Sequence, residues 1–226
     1  GYTPNAVFNY LMLLGWHPGD GDETEIFTPD QLIEYFDLSA VQKSGAVFSE
    51  EKLRWINKQH LQKLSDGIFF SAIKDYLPPE ITKLPQYSDD RLARLLPELR
   101  ERISVYSDIT SMAEEGELEY FFDSPGYFAS DLVWRKSDKA TTLAHLKWLH
   151  ENLELIENSA WQADVIKDKI WPYAEQHGKG DVLWPLRFAL SGMERSPDPV
   201  SLATIFGKSE TLHRIDSAIK KLENNE

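Results

Sequence analysis

SDDRLARLLPELRERI, residues 88–103, decides the fold class. Ser88, Asp89 and Asp90 offer side-chain oxygens to the unpaired N–H groups that open a helix. Behind them Leu92, Leu95, Leu96, Leu99 and Ile103 recur at spacings of three and four, the stripe of an amphipathic helix. Pro97 sits inside that stripe. A proline there removes a backbone hydrogen bond and crowds the preceding turn, so a kink or a division is expected. The polar side carries Arg91, Arg94, Arg100 and Arg102, and Arg91 and Arg102 stand about 20° apart around an ideal helix.

The same punctuation recurs in both directions. Upstream, Thr3 and Pro4 read as N-cap and first helical residue, with Val7, Leu11 and Leu14 at helical spacing and Gly15 as the stop. Thr28, Pro29, Asp30 and Gln31 form a capping box for a short helix through Ile33 and Phe36. Ser49 caps another that places Leu53, Ile56 and His60 on one side. Between the first two, Pro18 to Glu25 reads as a Gly/Asp-rich loop, and a short strand is expected near Ala46 to Phe48. Downstream, Leu143, Leu146, Leu149, Leu153 and Ile156 make one helix; Trp161, Val165 and Ile170 make another that ends at Gly178, with Pro172 as an irregularity. Asp181 is expected to cap a helix to Leu190 closed by Ser191 and Gly192, and Ser209 to cap a last one through Leu222. The fold class is therefore all-α: helical bundle modules with a small, mostly helical N-terminal module.

Composition narrows the functional classes. The 226 residues hold 24 Lys plus Arg against 37 Asp plus Glu, a formal charge of −13. That balance argues against a nonspecific nucleic-acid or anionic-membrane binder, both of which need a positive surface field. With 42% hydrophobic and 27% charged residues the chain is of ordinary globular type. No apolar run approaches the ~20 residues of a membrane span, and no basic segment followed by an apolar one marks a secretory signal. Zero cysteines exclude disulfides, thiolate nucleophiles and Cys-ligated zinc.

Catalytic signatures are absent: no dinucleotide or phosphate-binding glycine loop, no His-Glu-x-x-His, no Gly-x-Ser-x-Gly. His145 and His150 are five apart and point some 140° away from each other on a helix, so no shared metal is expected. The acids from Asp108 to Glu119 lack the spacing of a calcium loop and read as a solvated connection. The bases are few and grouped. Lys43, Lys52, Arg54, Lys58 and Lys63 follow 42 residues without Lys or Arg, and the four arginines of 88–103 form a second group. Cations gathered on an acidic body, with Trp55 adjoining Arg54, suit a defined polyanion held in one orientation. The plainer reading is two amphipathic helices with basic polar faces.

The order of segments favours the first reading. GYTPNAVFNYLMLLGW (1–16), SGAVFSEEKLRWINKQHL (44–61), PLRFALSG (185–192) and IFGKSETLHRIDSAI (205–219) resemble, in order, the C-terminal part of bacterial-type glutamyl-tRNA synthetases. In that family the HIGH and KMSKS-like signatures of a class I catalytic domain lie upstream of the glycine matched by Gly1. The resemblance therefore implies an inactive fragment of a longer enzyme, itself a class I, ATP- and Mg-dependent glutamate–tRNA ligase. It implies the end of a stem-contact module at 1–64 and two helical anticodon-binding modules at 65–118 and 119–226. It further implies a tRNA partner, no membrane, a monomer, a cytoplasmic location, and neither cofactor nor metal in the fragment.

The resemblance also places site residues. Arg102, with Arg100 as the alternative if the register slips, matches the arginine that contacts the third anticodon base; its planar fork of donors suits a base edge. Arg187 matches a second arginine near the anticodon, and Ser196 and Pro197 a loop lining the same pocket. Asp198 and Pro199 depart from the pattern, standing where many members have a small and an apolar residue, and an acid there would repel RNA phosphate. Lys52, Arg54, Lys58, Arg91 and Arg94 are the expected tRNA backbone contacts. The competing reading is an acidic helical protein-interaction module that does not bind RNA.

Overall fold

A computed structural model describes residues 1–18, 24–42, 45 and 47–224. Among them eleven α-helices carry the fold and no strand occurs; one isolated antiparallel bridge joins Trp16 and Val41. Ala46 and most of the Pro18 to Glu25 loop lie outside the described residues, and Val47 and Phe48 are not in a strand. The residues group into two compact units, Gly1–Pro78 with Leu96–Glu115, and Pro79–Leu95 with Gly116–Glu226.

The first unit is built on α1 (Pro4–Gly15), α2 (Pro29–Tyr35), α3 (Glu50–Lys63) and α4 (Asp66–Tyr76). Their starts are set locally. Thr3 accepts from the Ala6 N–H, Thr28 and Gln31 close the reciprocal box, and Ser49 accepts from the Lys52 N–H. Ala6, Tyr10, Leu53 and Ile56 form the core between α1 and α3. Two buried asparagines fix what packing alone leaves free. Asn9 Oδ1 accepts from the Phe27 N–H at 3.0 Å and its Nδ2 donates to Glu25 O, while His60 Nε2 lies 3.0 Å from the same oxygen. Asn57 Oδ1 accepts from the Thr3 N–H at 2.8 Å, and its Nδ2 donates to Ser104 O at 2.6 Å. Such fully paired amides order a core that apolar contacts would leave interchangeable.

The chain then enters the second unit through α5 (Pro79–Thr82) and α6 (Asp89–Arg102). Ser88 Oγ accepts from the Arg91 N–H as expected of a cap, and Leu92, Leu95, Leu96, Leu99 and Ile103 are all buried. Of the kink or division expected at Pro97, the division does not occur: α6 runs through it. A mid-helix proline costs about 3 kcal/mol, and burying four leucines at about 1.5–3 kcal/mol each outweighs it. The border between the units falls within this helix, between Leu95 and Leu96.

The acidic stretch after α6 is not a solvated connection. It forms α7 (Asp108–Glu114), which belongs to the first unit and buries Ile109, Met112 and Ala113. The rest of the second unit is a bundle of α8 (Lys139–Glu154), α9 (Ala163–His177), α10 (Lys179–Ser191) and α11 (Pro199–Asn224). Leu146, Leu149, Leu153, Ile166, Ile170 and Leu186 are wholly or almost wholly buried inside it. Gly192 closes α10 in the left-handed region (φ 67°). Asp181 sits in the first turn rather than at the cap, because α10 already begins at Lys179. α11 is two helical segments joined across a break at Gly207 (φ 77°, ψ 170°), so the last segment starts just after that glycine, close to the expected Ser209.

Candidate nucleic-acid interface

In the first unit most expected cations already have work inside the protein. Lys52 pairs with Glu25 and lies 4.8 Å above the Trp55 ring. Arg54 directs Nη2 at both oxygens of Asp108, at 2.8 and 3.0 Å. Lys58 Nζ donates to Glu101 O at 2.6 Å. Arg100 donates to Leu61 O at 2.6 Å, Leu64 O at 3.0 Å and Asp66 Oδ1 at 2.7 Å, with its guanidinium 4.2 Å over Phe69. It therefore satisfies carbonyls at the C-terminal end of α3, a structural use that occupies most of its donors. Arg102 is exposed in the last turn of α6. Of the two arginines, its position is the one from which a side chain can reach a solvent-borne base.

Asp108 organises the turn after α6. It accepts from Arg54 and from the Ser104 and Val105 N–H groups at 2.7 and 3.1 Å. Burial pushes its pKa up, but these hydrogen bonds and the Arg54 charge outweigh that and hold it below 3.8.

In the second unit Arg91, an expected backbone contact, is buried. Its Nη1 donates to Gln86 Oε1 at 2.6 Å and Phe121 O at 3.2 Å, and Nη2 lies 3.9 Å from Glu210. Arg94 is exposed and pairs with Asp90, four residues earlier, at 3.1 Å. Arg187 is half-buried in α10, donates to Glu194 O at 2.9 Å and lies 5.0 Å over the Trp184 ring. Beside it opens a cavity of about 260 Å³ lined by Trp134, Gly180, Leu183, Trp184, Asp198 and Pro199. Ser196 Oγ lies 3.1 Å from Ser191 Oγ and donates to Pro197 O, which holds the following loop against the end of α10.

Asp198 proves to be a helix cap. Its Oδ1 accepts from the Val200 and Ser201 N–H groups at 2.9 and 3.1 Å, and Oδ2 accepts from Ser201 Oγ. The carboxylate is thus held against the positive end of α11, which offsets the repulsion expected of an acid beside phosphate.

Two features escaped sequence reasoning. The indoles of Trp134 and Trp184 gather at the cavity from separate segments, with no motif to announce them. Arg214 is almost fully buried and donates to Tyr120 O, Leu190 O, Asp123 O, Gln86 Oε1 and Glu210 Oε1 at 2.6–3.3 Å. Its spacing of four from Glu210 was visible; the carbonyls were not. His145 and His150 share no site. His145 Nδ1 instead lies 2.9 Å from Tyr173 OH, with the His177 ring 5.7 Å away. Among the described residues no three His, Asp or Glu gather to hold a metal, and no helix is long and apolar enough to cross a membrane.

The chain, helical among its described residues and with Arg187 at a small aromatic cavity, matches the family described as "Anticodon binding domain" over residues 68–219, and it belongs to that family. Residues 1–55 match the catalytic domain of class I tRNA synthetases (E and Q). The relatives are more particular. The chain is 35% identical to a glutamate–tRNA ligase of Clostridium acetobutylicum, across 99% of its own length and 44% of that protein's. To the glutamate–tRNA ligase of Flavobacterium johnsoniae it is 34% identical, across 98% and 42%. The crystal structure of a glutamate tRNA ligase from Elizabethkingia meningosepticum in complex with its amino acid aligns with a TM-score of 0.75 at 33% identity, covering 98% of this chain and 42% of that one. The chain spans less than half the length of these relatives.

Proposed function

We propose that the chain recognises the anticodon loop of a glutamate tRNA, as the recognition part of a glutamate–tRNA ligase. Membership of the anticodon-binding family carries this reading, and the exposed Arg102 and the cavity beside Arg187 are where it acts. Unpaired bases can be splayed out, stacked and read along their edges. Arg102 reads the third anticodon base, and Arg187, Ser196 and Pro197 hold a neighbouring one. Arg54, Lys58 and Lys52 flank the RNA, while Arg100 and Arg91 support the fold behind it. The modules at 1–64, 65–118 and 119–226 divide stem contact from anticodon contact. The whole enzyme is a cytoplasmic monomer that joins glutamate to tRNA using ATP and Mg²⁺. The ATP and Mg²⁺ chemistry belongs to the catalytic domain, of which residues 1–55 match only a part.

Binding of glutamate and glutamine tRNAs to the wild type and to Arg102→Gln tests the reading. One arginine–base pair is worth about 1–3 kcal/mol of discrimination, so the wild type should prefer the glutamate tRNA by about 5- to 150-fold and the variant should lose that preference. Equal wild-type affinities for the two tRNAs would refute the assignment.

A further inference from the structure

The cavity beside Arg187 has an aromatic wall whose position depends on a glycine. Trp134 lies across the first turn of α10 at Gly180. A Cβ built on Gly180 would stand 2.8 Å from Trp134 Cε2 and 3.0 Å from Cδ1, and closer still to the indole nitrogen. No larger residue leaves the indole there. Trp184, further along α10, brings a second indole with its ring centroid 4.8 Å away, fixed by donating its N–H to Asp131 O at 3.0 Å. Each ring carries a cation: Arg135 lies 5.0 Å over Trp134, and Arg187 lies 5.0 Å over Trp184. Leu183 and Pro199 complete the lining.

That chemistry limits the guest. At about 260 Å³ the space falls below the ~300–1,000 Å³ of typical small-molecule sites, so it suits a single flat ring system. Indole walls favour an aromatic guest, and Arg187 in the lining, with Arg135 over the Trp134 ring, favours one attached to an anion. Asp198 also lines the cavity, but its oxygens are engaged in capping α11, where the positive helix end offsets part of its charge. A nucleobase on its phosphate backbone meets all of these conditions.

We propose that Trp134 is the wall on which one unpaired base of the bound RNA loop stacks, and that Gly180 is the residue that admits the indole to that position. This rests on the anticodon-binding reading and adds two residues to it. Gly180 is a positioning residue; Trp134 makes the contact.

The test uses the anticodon stem-loop of a glutamate tRNA with each loop nucleotide in turn made abasic, bound to wild type, Trp134→Ala, Trp134→Phe and Gly180→Ala. In the wild type, one abasic position should weaken binding by about 5- to 150-fold, the worth of a single base–aromatic stack. In Trp134→Ala the intact loop should bind weaker by a similar factor, and the penalty at that one position should vanish while the others remain. Trp134→Phe should restore most of the loss. Gly180→Ala should behave like Trp134→Ala although the tryptophan is present; alanine favours helix over glycine, so a weakened α10 cannot account for it. The salt slope should stay the same throughout, because no phosphate contact is lost. Wild-type affinity in Gly180→Ala together with undiminished abasic penalties in Trp134→Ala would overturn the proposal. A wild type that binds the loop without regard to any base would instead refute the anticodon reading, and this inference with it.

Discussion

Replacing Arg214 with methionine should be the most damaging single change in the second unit. The side chain is 2% exposed, and methionine fills the space of its stem while removing every donor. Three carbonyls, of Tyr120, Leu190 and Asp123, lose a partner at 2.6–2.8 Å. Each buried acceptor so orphaned costs about 1–3 kcal/mol. The ion pair with Glu210 is severed as well, a change worth about 3–5 kcal/mol when the remaining charge has no other partner. Here Arg91 stays 3.9 Å from Glu210 and covers part of that loss. Taking the low end for each carbonyl, the total is about 4–5 kcal/mol, against a stability of about 5–15 kcal/mol for a typical domain. Urea unfolding followed by circular dichroism measures it, with an unchanged slope as the control that only stability has moved. Adding Glu210→Gln to the variant should recover about 1 kcal/mol, the share due to the stranded carboxylate, and no more. A loss below about 1 kcal/mol in Arg214→Met, or full recovery in the double variant, would refute the account of Arg214 as the partner of those carbonyls.

Two pH effects follow from the same physics. Asp108 has a folded pKa held below 3.8, so its contribution is present above that pH and is lost as pH falls through the lower folded value. Asp108→Asn should cost about 1–3 kcal/mol at pH 7 and flatten the acid limb of stability measured by urea titration below pH 4. His145 is shifted downward from 6.5, first by burial and then by His177, with Asp181 opposing. The unfolded chain therefore takes up a proton before the folded one does, and stability should fall as pH drops below 6.5, levelling off beneath the folded pKa. Imidazole titration by NMR checks the direction, and His145→Gln should remove that part of the slope.

What the sequence showed was local. Thr3, the Thr28–Gln31 box, Ser49, Ser88 and Gly192 act through residues within four positions of themselves, so the chain order alone displays them. Arg91 shows the opposite case. Its place on the polar side of a leucine stripe reads as solvent-facing, and only the arrival of Glu210, some hundred and twenty residues later, makes it interior. Arg100 is a parallel case, since the carbonyls it serves lie at the end of another helix. The acids after α6 read as solvent-facing, and it is the burial of Ile109 and Met112 that makes α7 a packed helix. Of the candidate interface, Arg187 and Arg102 were legible through family resemblance; Trp134 and Gly180 were not, because a close approach between two residues so far apart leaves no spacing to read.

The two units are interleaved along the chain, the first resuming at Leu96 after the second has begun at Pro79. No single cut separates them. A protease nicking near residue 78, or a recombination event joining genes there, would leave the first unit without α7 and the second with α5 and the start of α6 already attached. Asn57 feels the omission directly, since the carbonyl it serves belongs to Ser104. A ribosome likewise cannot complete the first unit until residue 115 has emerged, with seventeen residues of the second already made. The pair is therefore inherited, shuffled and synthesised as one piece, even though each unit packs around a core of its own.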